Sequence, residues 1–186
     1  MSRIAKSLFL ICLLVVVSGC NTRTDKTDGG GVLLSVSDFD GLPVLISVNA
    51  ALAAGGLVQV GTIDIQNVTK DPTGLTSDLM NVEIRSYEVT YTRGDEGTRV
   101  PMPFVRGIFG VAPVGGTLTY DNLPVMSRNE LDSVPLADLL FVNGGFDQET
   151  GRTKIVLNLH LRFFGKTLSG KEVQSEPVTF TVDFIP

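Results

Sequence analysis

Apolar and polar positions alternate with a period of two along much of the last third of this chain. Ile155, Leu157, Leu159, Leu161 and Phe163 interleave with Val156, Asn158, His160, Arg162 and Phe164. One set is wholly apolar and the other mostly polar, which predicts a strand buried on one face. Val178, Phe180, Val182 and Phe184 alternate with Thr179, Thr181 and Asp183 in the same way. Gly165–Gly170 between them reads as a turn. The two runs therefore predict an antiparallel hairpin, with Pro177 marking a bulge or an edge position because proline cannot donate to a ladder.

Earlier segments follow the same period less cleanly. Val32–Phe39 and Val44–Val48 open the domain, and Leu57–Val68 is rich in β-branched residues, with Gly61 read as a bulge. Asn81–Thr92 alternates too, but its phase slips by one residue near Ser86, so an irregularity is expected there. Gly94–Gly97 turns the chain, and Pro103–Phe109 and Thr117–Leu123 supply two more strands. Many short strands with Gly and Pro turns predict an all-β fold, an antiparallel sandwich of about 7–9 strands. Its expected core draws on Ile63, Ile65, Val82, Ile84, Tyr87, Val89, Leu157, Leu159, Leu161, Val178, Phe180 and Val182.

One stretch departs from the strand pattern. Ser127-Arg128-Asn129-Glu130 fits a capping box, in which serine and glutamate satisfy each other's end of a helix start. Leu131, Val134 and the run Leu136–Phe141 provide apolar positions, while Pro135 interrupts the helix. A short helical insert near 127–141, closing one end of the sandwich, is the result.

Ser86-Tyr87-Glu88-Val89-Thr90-Tyr91 resembles the third strand of fibronectin type III domains. Gly116–Leu123 is similar to the strand that runs into the leucine corner of that fold. The likeness covers a small part of the domain, and the chain has no Trp for the position usual in the second strand. It implies an immunoglobulin-like sandwich and nothing about function, because that fold hosts many functions.

The N-terminus carries an address. Arg3 and Lys6 precede the apolar run Leu8–Val17, which ends in Val17-Ser18-Gly19-Cys20. A basic start, a run too short to span a bilayer comfortably and small residues at its end read as a secretory signal. Cysteine directly after them resembles the lipobox of bacterial lipoproteins. That resemblance implies removal of residues 1–19, acylation of Cys20 and a bacterial envelope location. Asn21, not aspartate, implies outer-membrane sorting where the cell has an outer membrane. Residues 20–31 read as a lipidated tether, and Val32–Pro186 as the folded domain, about 155 residues and large enough for a single core. The 11 residues Asn21–Gly31 reach at most about 40 Å.

Composition narrows the chemistry. Cys12 and Cys20 are the only cysteines, so the mature chain would hold one cysteine, already acylated, and no disulfide. Without residues 1–19 there are 13 basic and 20 acidic side chains, a formal charge of −7. An acidic domain offers no footprint for nucleic acid and no polybasic contact with anionic lipid. The single histidine, His160, lies mid-strand on a polar face, a poor place for a triad. Phe164-Gly165-Lys166-Thr167 looks like the end of a phosphate loop, but the required earlier glycine is His160.

Carboxylates beside turns at Asp38-Phe39-Asp40-Gly41, Gly94-Asp95-Glu96-Gly97 and Asp147-Gln148-Glu149 raise calcium as an option. Turn geometry and solubility account for them as well. No catalytic residue, metal ligand or cofactor is assigned.

Phe104–Gly116 is apolar with one charge, Arg106, and Asn49–Gly56 is a second low-polarity segment. Phe104, Val105, Ile108, Phe109 and Val111 therefore form a candidate contact surface; the alternative is that Val105, Ile108 and Val111 point into the core. The expected function is that of a non-enzymatic binding or structural lipoprotein, held to the membrane through Cys20 and working on an envelope protein or polymer. A small envelope hydrolase or carbohydrate-active enzyme is the alternative, resting on carboxylates such as Asp95 and Glu96.

Overall fold

The computed structural model describes residues 31–186; the basic start, the apolar run, the lipobox and Cys20 lie outside them. Nine strands form two sheets: β1 (Val32–Asp40), β2 (Leu45–Ser47), β3 (Val58–Thr69), β4 (Val82–Arg93), β5 (Phe104–Ala112), β6 (Thr117–Met126), β7 (Ile155–Thr167), β8 (Glu172–Gln174) and β9 (Val178–Ile185). The smaller sheet has the order β1-β3-β6. The larger has β2-β9-β7-β4-β5, with β8 paired to the end of β7. All neighbours are antiparallel except β2, which runs parallel to β9. This is the expected all-β sandwich.

The strand faces follow the alternation. Ile155, Leu157, Leu159, Leu161 and Phe163 of β7 are fully buried, as are Ile84, Tyr87 and Val89 of β4 and Ile63 and Ile65 of β3. They join one cluster fed by both sheets, with the half-buried Val178 packed against it. Two tyrosines tie the sheets together. Tyr87 Oη donates to the Pro124 carbonyl (2.6 Å) and Tyr91 Oη to that of Val125 (2.9 Å), so each buried phenol has a polar partner.

The irregularity expected near Ser86 is present: the register of β4 slips between Ile84 and Ser86 against both β5 and β7. One extra residue there restores Tyr87 and Val89 to the core face. Pro177 falls in the break between β8 and β9, as its missing N–H requires. Gly61 is not a bulge. The β3–β6 register runs evenly past it, and the slips lie instead at Val58/Gln59 and, in β1–β3, at Val36/Asp38. Glycine is needed at 61 because a Cβ would sit 3.2 Å from both the Asp40 carbonyl oxygen and Gly41 Cα.

The insert between β6 and β7 begins with α2 (Arg128–Leu131), preceded by α1 (Val48–Ala53) after β2. Glu130 accepts from the Ser127 N–H at 2.7 Å, so the capping box forms. Beyond Pro135 the chain takes two 3-10 turns, Leu136–Leu139 and Phe141–Asn143. Leu131, Leu136 and Leu139 are buried and close the end of the sandwich. The low-polarity segment Asn49–Gly56 is largely α1. Ser47 Oγ caps it by accepting from the Ala50 N–H (3.3 Å), and Asn49 Oδ1 accepts from the Phe141 N–H (3.3 Å).

Candidate functional site

β5 is the edge of the larger sheet, paired with β4 on one side only. Its alternation is fully resolved by the pairing. Phe104 and Ile108 turn inward and pack half-buried on the core. Phe104 meets Tyr87 edge-on at 6.2 Å between centroids, and the Arg106 guanidinium lies 5.7 Å from the centre of the Phe104 ring. Val105, Phe109 and Val111 turn outward and are 64%, 74% and 40% exposed. Of the three residues that could have pointed into the core, only Ile108 does so.

A glycine sets how β5 meets the smaller sheet. A Cβ on Gly110 would lie 2.6 Å from Tyr120 Oη and 2.7 Å from Leu118 Cδ2. The missing side chain therefore lets β6 close over the inner face of β5. Tyr120 stacks on Phe163 at 6.3 Å, and burial pushes its phenol up to about 12.

At the opposite extreme of polarity, the end of the sandwich covered by the insert holds an ion cluster. Arg93, at the last position of β4, has a side chain only 3% exposed. Its Nε donates to Asp95 Oδ1 (2.6 Å), one terminal nitrogen to Asp147 Oδ2 (2.8 Å), and the other to the Arg99 carbonyl (3.3 Å). Arg99 bridges Asp138 (2.8 Å) and the second oxygen of Asp147 (3.1 Å). Glu149 accepts from the Thr98 hydroxyl (2.5 Å) and from the backbone N–H groups of Thr98 (2.9 Å) and Arg99 (3.1 Å).

Burial alone would raise the Asp147 carboxyl. The hydrogen bonds from Arg93, Thr150 and the Glu149 N–H outweigh it and hold the group down at about 2. Glu149 is held at about 2 chiefly by the Thr98 hydroxyl and the N–H groups beside it. Asp95 is lowered by Arg93 and the Val156 and Gly97 N–H groups against its own burial.

Two of the acidic turns considered for calcium thus meet in space, but around arginine. Among the described residues, no group of three or more His, Cys, Asp or Glu side chains is arranged to hold a metal. In the third turn, Asp38 and Asp40 accept from the N–H of Phe39 (2.8 Å) and Gly41 (2.6 Å). The carboxylates named for a hydrolase separate as well: Asp95 faces Arg93, while exposed Glu96 pairs with Arg152 at 2.9 Å.

His160 lies on the outward face of β7 between two threonines, 2.9 Å from Thr92 Oγ1 and 2.9 Å from Thr179 Oγ1. Beside it is an open depression of about 280 Å³ lined by Glu88, Thr90, Arg162 and Pro177. A second, of about 360 Å³, lies between Arg85–Ser86 and Phe164–Lys166.

The sequence reading missed Arg93, Arg99 and Asp138. The only local signal was an arginine closing a strand two residues before an aspartate. No family model matches the chain, and no curated protein and no solved structure is detectably similar to it.

Proposed function

We propose that this chain is a non-enzymatic lipoprotein of the bacterial envelope, anchored by acylated Cys20, that binds an envelope partner through β5. The single observation that carries the contact surface is the outward row Val105, Phe109 and Val111 on an unpaired sheet edge. A strand edge offers a ladder of N–H and C=O groups, and alternate outward side chains give specificity. An extended apolar segment of another protein is what such an edge accepts. The lipobox Val17-Ser18-Gly19-Cys20 supports the anchor, and Asn21 supports outer-membrane sorting in a two-membrane cell. The immunoglobulin-like reading is supported by the strand order: β1-β3-β6 takes the places of A, B and E, and β2-β9-β7-β4-β5 those of A′, G, F, C and C′.

The test is crosslinking in cells of the native, lipidated protein, with a photoreactive residue in place of Phe109. One recurring envelope protein, attached through an extended segment, is the expected result. No recurring adduct at 109, with Cys20 acylated and the protein in the membrane, would overturn the contact reading.

A further inference from the structure

The described chain begins at one end of the sandwich. The Gly31 carbonyl accepts from the Lys70 N–H (3.0 Å), and β1 starts with Val32 opposite Thr69. The loop Lys70–Asn81 and the turn Thr167–Lys171 surround this entry point. They carry three leucines that turn away from the core: Leu75 is fully exposed, Leu79 59% and Leu168 49%.

Leu79 and Leu168 sit on fastened backbone. The Leu168 N–H donates to the Asn81 carbonyl (2.9 Å), and the Ser169 N–H to that of Leu79 (3.0 Å). The buried Asn67 side chain holds the Met80 carbonyl (3.0 Å) and the Ala112 carbonyl (3.1 Å) from beneath. An apolar group at the tip of a braced loop is a fixed feature of the surface. The charges around it nearly cancel: Lys70 and Lys171 stand beside Asp71, Asp78 and Glu172.

From this end, and resting on the Cys20 anchor proposed above, we infer that Leu75, Leu79 and Leu168 seat the domain on the lipid surface to which its own acyl chains hold it. Chain length selects this end. Eleven residue steps take the chain from Cys20 to Gly31, at most about 40 Å when fully extended and about 18 Å as a relaxed coil. β7 alone, at 13 residues, runs about 40 Å from the entry end to the end closed by the insert. The exposed Phe141 and Val142 of the insert lie at that far end, and only a tether drawn out to its full length would bring them down to the same membrane, whereas the entry end reaches it with the chain relaxed. With balanced charge, the contact works by apolar insertion to the headgroup boundary, as amphipathic surface segments do, and needs no anionic lipid.

Cys20 is the only cysteine of the mature chain, so one introduced cysteine gives a single labelling position. Full-length acylated protein carrying Leu75→Cys, Leu168→Cys or Val142→Cys is labelled with an environment-sensitive dye. It is then reconstituted into phosphatidylcholine vesicles bearing a nitroxide-labelled lipid. The expected result is loss of about half the emission at 75 and 168 and almost none at 142, since an inserted surface residue reaches about 5–10 Å into the headgroup region. Adding Leu79→Ser, an exposed change that leaves the fold intact, should weaken quenching at 168.

No quenching at 75 and 168 while the protein floats with the vesicles would overturn the inference and leave the anchor standing. Equal quenching at all three positions would overturn it too. Absence of acyl mass on Cys20, with the protein left behind on flotation, would remove the anchor reading and this inference with it.

Discussion

Two regions of the molecule reverse the usual sorting of charge outward and apolar groups inward, and they do so in opposite senses. At the insert-covered end, Arg93 and Asp147 are charged and buried. Along β5, Val105 and Phe109 are apolar and exposed. The buried carboxylates share two arginines, Arg93 and Arg99, and the cluster ties together β4, the 94–103 connection, the insert and the segment leading to β7. The exposed apolar groups have no partner within the described residues. The first region explains how long loops are held with no disulfide; the second is where the fold leaves contact area open. Buried polar and exposed apolar groups are the informative ones for this reason.

The largest effect should come from breaking the ion cluster. Arg93→Ala leaves Asp95 buried with no cation and Asp147 with Arg99 alone. A destabilisation of about 3–5 kcal/mol is expected, because an uncompensated buried charge costs far more than a surface pair. For a domain of this size that is a fall in Tm of about 10 °C, measured by calorimetry. A change below about 1 kcal/mol would mean the cluster is passive.

Acid should loosen the same region. Asp147 is held at about 2, below its ordinary 3.8. Its folded-state pKa is depressed, so its contribution is fully present above about pH 5 and is lost as pH falls through 2. That contribution is about 2 kcal/mol from Asp147. Glu149, also held at about 2, adds in the same direction and over the same interval. Denaturant midpoints between pH 6 and pH 2 should fall for the native protein, and fall less for Arg93→Ala.

A smaller cost is expected at the seam beside β5. Gly110→Ala places a methyl against Tyr120 and Leu118, and overpacking of this kind costs about 1–3 kcal/mol. Calorimetry would register it, with a shifted Tyr120 environment in the near-ultraviolet spectrum.

These contrasts also explain what could be read before the structure. β7 and β9 were legible because each has one apolar face and one polar face, so the period alone fixes orientation. The slip at Ser86 and the Ser127–Glu130 capping box were legible because both are local. β5 was legible as a strand but not in its orientation, since Phe104 and Ile108 on one side and Val105, Phe109 and Val111 on the other are equally apolar. Only pairing with β4 decides which side faces water. Gly61 was misread because a strand glycine marks either a bulge or a close backbone approach, and Gly41, twenty positions earlier, selects the second. Arg93 needed two separate connections, β4–β5 and β6–β7, to fold over it. The six-residue α1 lacks acidic residues in its first turn and basic ones in its last, but its Ser47 cap, its alanines and the Gly55-Gly56 that follows it were signals that went unread.

The smallest effect on stability should accompany the largest effect on binding. Phe109→Ser removes an exposed ring, so its stability should stay within about 0.5 kcal/mol of the native protein. The most direct measurement pairs that Tm with the yield of partner adduct formed in cells through a photoreactive residue at Val105. An unchanged Tm with the adduct lost is the predicted result. An adduct at native yield, or a Tm that falls as far as that of Arg93→Ala, would contradict the assignment of β5 to contact and of the ion cluster to folding.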